Sequence, residues 1–493
     1  MPYLIIFLYS ILFSYDTDSR HMQTRYAIKK NILSYQKQDR NEQELIEFIE
    51  SVMDSDNIPG LSVAVVKGDN IIWNKSFGMA NIEQNISVSD STMFMLASVS
   101  KTVTATALMK LWENGLIDLD ADINNYLPFY VRHPDYPNST ITTKMLLTHT
   151  SGIKDNWNVM NYYEGDPTIA LGDYLQNYLI PGGDFYNQNA NFTNSQPGSN
   201  YSYSNIGAAL IGYLVEVISL QPFNQYCNQY IFEPLDMDSR WFLSELNIEQ
   251  IAMPYKSGGA EGDNCYDIGC GVFNGNNPCQ CDDECIDYGD CCSDYEEICG
   301  EDGSGSSVDL VPIGHYGYAD YPSGQLRSSA LDLAKFAVLY TNDGLYNNTR
   351  ILNQETIEFM KQIPYPNIDS QQAIIWYYKN QDNRTLFGHN GGDLGVITEM
   401  FISLSDEVGV IVLSNSQNYF SVIEIEKAIF DFVDQYDFQL AGDMNSDMMI
   451  NVADIVLIIN LILENQYSSI GDINLDGLLN IQDIILVVNI ILD

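Results

Sequence analysis

The stretch Leu96-Ala97-Ser98-Val99-Ser100-Lys101-Thr102 sets the strongest limit on what this chain can be. It opens an apolar, Ala- and Thr-rich run of helical character, with Ser98 and Lys101 three residues apart. On a helix that spacing puts both side chains on one face, within touching distance. The hydroxyl then falls in the first turn, where free N–H groups and the helix dipole favour developing negative charge. A serine becomes a nucleophile when a neighbour takes its proton, and an adjacent amine can do so. The bland reading, a solvated helix face, asks nothing more of the sequence. The nucleophilic reading needs partners elsewhere.

Two later stretches supply them. Residues 201–207 contain Tyr-x-Asn at Tyr203 and Asn205, and residues 388–392 contain His389-Asn390-Gly391 followed by Gly392. The second lies between a short apolar run and a strand expected over 396–403. Each alone reads as an ordinary half-buried aromatic or a loop histidine. In this order and at these separations, the three motifs resemble the active-site elements of the serine β-lactamase and D,D-peptidase superfamily. The likeness is greatest to its class C-like group, which includes esterases and D-aminopeptidases. Residues 146–152 and 321–328 resemble framework stretches of the same group. The resemblance covers residues 41–256 and 309–438, and it implies an α+β fold: an antiparallel sheet flanked by helices and joined to a helical lobe.

It also implies a mechanism. Ser98 Oγ attacks a carbonyl and forms an acyl-enzyme, while Lys101 and Tyr203 share the proton. A phenol of ordinary pKa near ~10 serves as a base only where cations stabilise its anion. Lys101 stands on one side of it and His389, when charged, on the other. Asn205 orients Lys101 and donates its amide to the substrate, and the N–H groups of Ser98 and Gly392 form the oxyanion hole. Catalysis needs no cofactor. The sequence departs from the β-lactamase pattern at His389-Asn390-Gly391, where those enzymes carry Lys-Thr-Gly. A histidine of ordinary pKa near ~6.5 holds a substrate carboxylate less surely than lysine. The expected substrate is therefore a small ester, an amide or a D-amino-acid peptide.

Composition narrows the setting. The 493 residues carry 22 basic against 66 acidic side chains, a net charge of −44. That disfavours nucleic acid or anionic membrane as a partner, since both call for basic patches. Residues 1–15 are apolar up to Phe13 and then turn polar, which reads as a secretory signal peptide followed by a linker over 16–40. No other stretch has the length and apolarity of a membrane span.

Eight of the nine cysteines crowd into one segment: Cys265, Cys270, Cys279, Cys281, Cys285, Cys291, Cys292 and Cys299. Gly/Ser-rich linkers bracket it, so residues 263–302 read as a module inserted into the hydrolase. The spacing resembles a somatomedin-B domain, which implies four disulfides, an oxidising compartment and a possible protein partner. A zinc site is the alternative, disfavoured by the lack of histidine. Spacing does not choose among the pairings. Cys227 is left over and reads as a buried thiol. The expected location is extracellular or periplasmic.

The tail, residues 439–493, repeats itself. Asp443, Asn445, Asp447, Asn451 and Asp454 recur as Asp472, Asn474, Asp476, Asn480 and Asp483. These are positions 1, 3, 5, 9 and 12 of a calcium loop, with the carbonyls of Met449 and Leu478 at position 7. An apolar helical run follows each loop, over 455–463 and 484–492. The duplicate resembles a type I dockerin module, implying two structural Ca²⁺ ions and a cohesin-like partner. Two rival readings follow: a catalytically silent scaffold whose modules bind partners, and a carbohydrate esterase carried on a polysaccharide-degrading assembly.

Overall fold

The structure, a computed structural model, describes residues 42–257, 310–434, 442–445, 450–468, 470–474 and 477–492. The signal segment, the linker, all eight clustered cysteines and Asp447, Met449 and Asp476 lie outside the described residues. The chain forms two compact units, one holding residues 46–429 and the other residues 38–45 and 430–493.

Helix α1 (Glu42–Ser55) enters the larger unit at Ile46, and its Ile49, Val52 and Met53 are buried at helical spacing. Strands β1 (Gly60–Lys67) and β2 (Asn70–Asn81) form a hairpin, with Gly68 turning at φ 58°. After β3 (Ile86–Ser87) the chain enters α2 (Ser100–Glu113) and leaves the sheet. A rim strand β4 (Tyr162–Glu164) and helix α3 (Asn205–Ser219) follow. Strand β5 (Tyr316–Tyr318) pairs antiparallel with β4, and α4 (Ala330–Thr341) leads back to the sheet. Strands β6 (Tyr377–Gln381), β7 (Arg384–Asp393), β8 (Val396–Ser403) and β9 (Val408–Ser414) complete it, and α5 (Tyr419–Val433) closes the fold.

The order β6-β7-β8-β9-β1-β2-β3 is antiparallel throughout, so strands from the two ends of the unit meet at β9 and β1. Strands β8 and β9 are buried along their whole length, which explains the near-unbroken apolarity of β9, while β8 carries Thr398 and Glu399 into the interior. Helix α4 packs on this sheet, and its Phe336 and Tyr340 join Trp376 and Phe387 in an aromatic cluster.

Helix α2 has buried side chains on every face from Ser100 to Met109, with α3 packed against it. Its small Ala and Thr side chains allow that close packing. At Gly212 on α3, an added Cβ would come within 2.6 Å of Pro322. Glycine there lets the turn around residues 320–323 approach the start of α2.

Strand β6 starts only at Tyr377, because Ile375 takes a left-handed φ of 64° and its N–H donates to the Leu147 carbonyl. Strand β7 runs on to Asp393, so His389 and Gly391 stand within the sheet. Cys227 is fully buried and free, and burial pushes its thiol up.

In the second unit, helices α6 (Val452–Leu463) and α7 (Ile481–Leu492) each begin three residues before the apolar runs. The cause is capping: Asn451 accepts from Ala453 N–H at 2.8 Å, and Asn480 accepts from Gln482 N–H at 2.8 Å. Asp454 reaches back to Asn451 N–H at 2.8 Å, and Asp483 to Asn480 N–H at 2.9 Å. The same two carboxylates accept from Met444 and Ile473, each at position two of its loop. The duplicated sequence thus folds into duplicated hydrogen bonds.

Candidate active site

Ser98 stands on a one-turn 3₁₀ segment, Ala97–Val99, immediately before α2 rather than within its first turn. Ala97 has φ 45°, a left-handed conformation costing a non-glycine residue on the order of 1–2 kcal/mol. The surroundings hold it there. Leu96 N–H donates to the Leu326 carbonyl at 2.8 Å, and Thr398 Oγ1 donates to the Leu96 carbonyl at 2.7 Å. Strained backbone beside a nucleophile, fixed from two sides, aims the hydroxyl.

Lys101 lies one turn on, fully buried. Its Nζ donates to Ser98 Oγ at 2.9 Å and to the Ser323 carbonyl at 2.7 Å. The Tyr203 ring centroid is 4.9 Å away. Among the described residues no carboxylate touches the amine, and burial pushes its pKa down to about 7, against the weaker upward pull of Asp155, Asp320 and Asp393. Asp320 is itself pushed up to about 6 by burial and accepts from Ser323 Oγ at 2.8 Å. That bond shapes the turn whose carbonyl holds Lys101.

Tyr203 donates to the same Ser98 Oγ at 2.8 Å. It precedes Ser204, the N-cap of α3, whose hydroxyl accepts from Gly207 N–H at 2.9 Å. Asn205 is the first helical residue, and the structure gives its amide a partner the sequence did not suggest. Nδ2 donates to Asp155 Oδ2 at 2.9 Å, and the N–H groups of Asn205 and Ile206 donate to the same carboxylate. Asp155 therefore sits on the N-terminus of α3, a favoured place for an anion. Orientation of Lys101, expected from Asn205, comes from the Ser323 carbonyl. Behind Tyr203, the His149 ring lies 4.5 Å from the phenol ring and its Nδ1 accepts from Ser204 N–H.

His389 is buried on β7, with ring centroids 6.3 Å from Tyr203 and 5.5 Å from Tyr377. Its Nδ1 is 2.5 Å from the Asn390 carbonyl, which can only accept, so Nδ1 donates its proton there. At Gly391 an added Cβ would fall 2.9 Å from Ser98 N and 2.3 Å from the Leu96 carbonyl. Only glycine permits β7 to lie this close to the nucleophile, which brings exposed Gly392 to the cleft.

Ser98, Lys101 and Tyr203 thus meet His389 and Gly391 where β7 faces the helical lobe, with Asn205 and Gly392 beside them in the chain. The beta-lactamase family profile matches residues 45–433, most of the chain. The chain belongs to the beta-lactamase family. Members of this family are serine hydrolases. Among its relatives, Protein flp of Staphylococcus aureus (strain MRSA252) is 27% identical over 214 residues, 42% of this chain and 39% of flp. The chain thus spans about two fifths of the length of that curated relative. Among solved structures, an octameric penicillin-binding protein homologue from Pyrococcus abyssi aligns with TM-score 0.55 and 22% identity, covering 80% of this chain and 78% of that one. A D-amino acid amidase from Ochrobactrum anthropi SV3 aligns with TM-score 0.55 and 20% identity, covering 79% and 99%. These two likenesses speak for the fold.

The sequence did not single out Asp155, Ser323, Asp320, Asp393 or Thr398 as parts of the site. Ser323 stood in a recognised framework stretch, and Asp155 follows another by three residues. Their roles depend on backbone carbonyls and helix ends, which no side-chain motif records.

Proposed function

We propose that this β-lactamase-like protein is an active serine hydrolase that forms an acyl-enzyme at Ser98 on a small ester, amide or D-amino-acid peptide. The observation that carries this reading is the three-way contact at Ser98 Oγ, bonded by Lys101 at 2.9 Å and Tyr203 at 2.8 Å. An amine pushed down to about 7 is partly unprotonated at neutral pH and accepts the Ser98 proton as the hydroxyl attacks. The Tyr203 hydroxyl, on the same oxygen, is placed to pass a proton to the leaving group. Ser98 N–H and Gly392 N–H would receive the oxyanion. The D-amino acid amidase similarity supports an amide or D-aminoacyl substrate. The absence of Lys-Thr-Gly weighs against antibiotics. Incubation with a fluorophosphonate or fluorescent penicillin and mass analysis of the Ser98 peptide tests this. Wild type should label and Ser98→Ala should not, with unfolding shifted by no more than about 1–2 kcal/mol. An unlabelled, inactive wild type would favour the silent-scaffold reading.

We also infer that the protein is secreted, as the apolar N-terminus and cysteine-rich segment suggest, and that the tail is a paired calcium module serving a cohesin-like partner. No group of three or more His, Cys, Asp or Glu stands together for a metal among the described residues. Both position-5 aspartates fall outside them. The fit rests on buried oxygen donors at each loop: Asp443 with Asp454, and Asp472 with Asp483, none more than 1% exposed. An all-oxygen set suits a hard cation. Gly477, at position 6 of loop two, takes φ 78° and donates to Asp472 Oδ2 at 2.8 Å, whereas loop one has Met448 there. Loop two should therefore bind calcium about tenfold more tightly. Calorimetry on the full chain should resolve two affinities that converge in Met448→Gly. Equal wild-type affinities would remove the backbone argument, and no binding would remove the module.

A further inference from the structure

The stretch 146–152 closes a short helix, Thr143–Leu147. His149 N–H donates to the Leu146 carbonyl at 3.2 Å, and Thr150 N–H donates to the Met145 carbonyl at 2.8 Å. That pair of bonds needs a left-handed residue at position 149, where glycine is the usual choice. The chain places a histidine there instead, at φ 53° and 1% exposed. A side chain disfavours this backbone conformation, and closing the helix does not call for an imidazole. The reason for the histidine lies in what it touches.

It meets Tyr203 from three sides. The His149 carbonyl accepts from Ser202 N–H at 2.7 Å, and its Nδ1 accepts from Ser204 N–H at 3.2 Å. One residue thus holds the backbone both before and after the tyrosine. Between these bonds the imidazole lies against the phenol, with 4.5 Å between centroids and 34° between planes. A backbone N–H only donates, so Nδ1 carries a lone pair and the ring is neutral in this contact. With its backbone and one ring face fixed, the phenol reaches Ser98 Oγ at 2.8 Å. Asp155 accepts from Ser204 Oγ and from the N–H groups of Asn205 and Ile206, so its hold begins one residue past the tyrosine.

Resting on the hydrolase reading, we propose that His149 is a positioning residue that aligns Tyr203 for proton delivery, and so sets how poor a leaving group the enzyme expels. In that step the bond from the carbonyl carbon to the leaving oxygen or nitrogen breaks. Its electron pair stays with the leaving atom, which takes the Tyr203 proton. The phenolate left behind recovers a proton from the Lys101 ammonium, which had received one from Ser98. A small displacement of Tyr203 costs the alignment this transfer needs. Leaving groups that depart as stable anions are spared, whereas poor ones are not.

The test uses the full-length protein and substituted phenyl acetates, from the nitrophenyl to the methoxyphenyl ester, with kcat/KM measured for each. The rate of Ser98 labelling by a fluorophosphonate, whose fluoride departs without a proton, is measured beside them. His149→Gly keeps the left-handed turn and removes only the side chain. It should lower kcat/KM by about tenfold or more for the methoxyphenyl ester, and by no more than about twofold for the nitrophenyl ester and the fluorophosphonate. His149→Phe, which fills the same space without an acceptor for Ser204 N–H, should tilt the series the same way. His149→Asn tolerates the left-handed backbone and offers Oδ1 in place of Nδ1, so it should lie near wild type. In a Tyr203→Phe background, His149→Gly should change nothing further. Equal losses across the series and with the fluorophosphonate, losses that add to those of Tyr203→Phe, or no recovery in His149→Asn would mark a loosened fold and overturn the positioning role. So would a wild type that labels at Ser98 yet turns over none of the esters, while the nucleophile itself stands. Failure of Ser98 to label overturns both the role and the hydrolase reading.

Discussion

Two of the buried lysines of the larger unit, Lys101 and Lys379, have surroundings that differ in kind. Lys101 touches a hydroxyl, a backbone carbonyl and the neighbourhood of a phenol ring, with no carboxylate in contact. Lys379, on β6, bridges Glu399 Oε2 at 3.1 Å and Glu426 Oε2 at 2.7 Å, over the Phe401 ring at 3.5 Å. Burial without a counter-charge destabilises the ammonium and yields an amine poised near neutrality. Burial between two carboxyls puts the strain on the acids instead. Glu399 is pushed up to about 8 by burial, against the pull of Lys379, and Glu426 is raised for the same cause. One cation with two carboxyls needs one shared proton for neutrality, so this cluster holds charge while the cleft moves it.

Exchanging each lysine should break the comparison open. The largest effect is expected in Lys101→Met: a loss of about 10³-fold in kcat/KM with no loss of thermal stability, because a poorly solvated amine leaves the core. Wild-type activity should rise with pH through about 7 as Lys101 gives up its proton. Lys101→Arg should not restore it, since a guanidinium stays charged. Stopped-flow acylation across pH measures both, and a Lys101→Met protein that acylates normally would take the base role away.

Lys379→Met should do the reverse. Removing the cation leaves Glu399 and Glu426 buried together, at a cost of about 3–5 kcal/mol in denaturant unfolding. Ser98 labelling per folded molecule should persist, because Lys379 touches none of the reacting groups. Adding Glu399→Gln and Glu426→Gln to it should recover most of the loss, a non-additivity that marks one coupled cluster. If the single and triple variants are equally unstable, the cost arises from packing alone.

How much of this was legible beforehand follows the same division. Ser98, Lys101, Tyr203 and His389 could be read because their three short motifs stand in the order of the superfamily they resemble, with the serine and lysine three residues apart. Helices read over 331–340 and 422–436 appear at Ala330–Thr341 and Tyr419–Val433, and the strands read over 396–403 and 408–414 appear with those bounds. Asp155 and Ser323 were not legible, because one accepts from a backbone N–H 50 residues away and the other offers only its carbonyl, to a lysine 222 residues away. The triad was hidden for a related reason. Lys379 and Glu399 look like any charged residues on strands, and only the pairing of β6, β7 and β8 buries them together. The left-handed residues Ala97 and Ile375 also escape a sequence reading, since tertiary contacts rather than residue type impose them.

The smallest effect lies in the pH dependence of stability, where the two sites should pull in opposite directions. Glu399 has its folded pKa raised from 4.5 to about 8, so across that range the folded protein holds more proton than the unfolded chain. Its contribution therefore favours folding at low pH and is lost as pH rises towards 8. Lys101 is lowered from 10.5 to about 7, so the unfolded chain holds more proton between those values and stability rises with pH there. Glu399→Gln should accordingly gain on wild type as pH climbs from about 5 to 8, while Lys101→Met should lose ground between about 7 and 10. Between 7 and 8 the two wild-type slopes oppose each other and partly cancel, so only difference curves between variant and wild type separate them. Denaturant midpoints at half-unit pH steps give those curves. Parallel lines for Glu399→Gln would show that the triad binds no extra proton and that Lys379 alone balances both carboxylates. A flat line for Lys101→Met would show that the cleft amine keeps its ordinary affinity for the proton, removing the physical basis for its role as base.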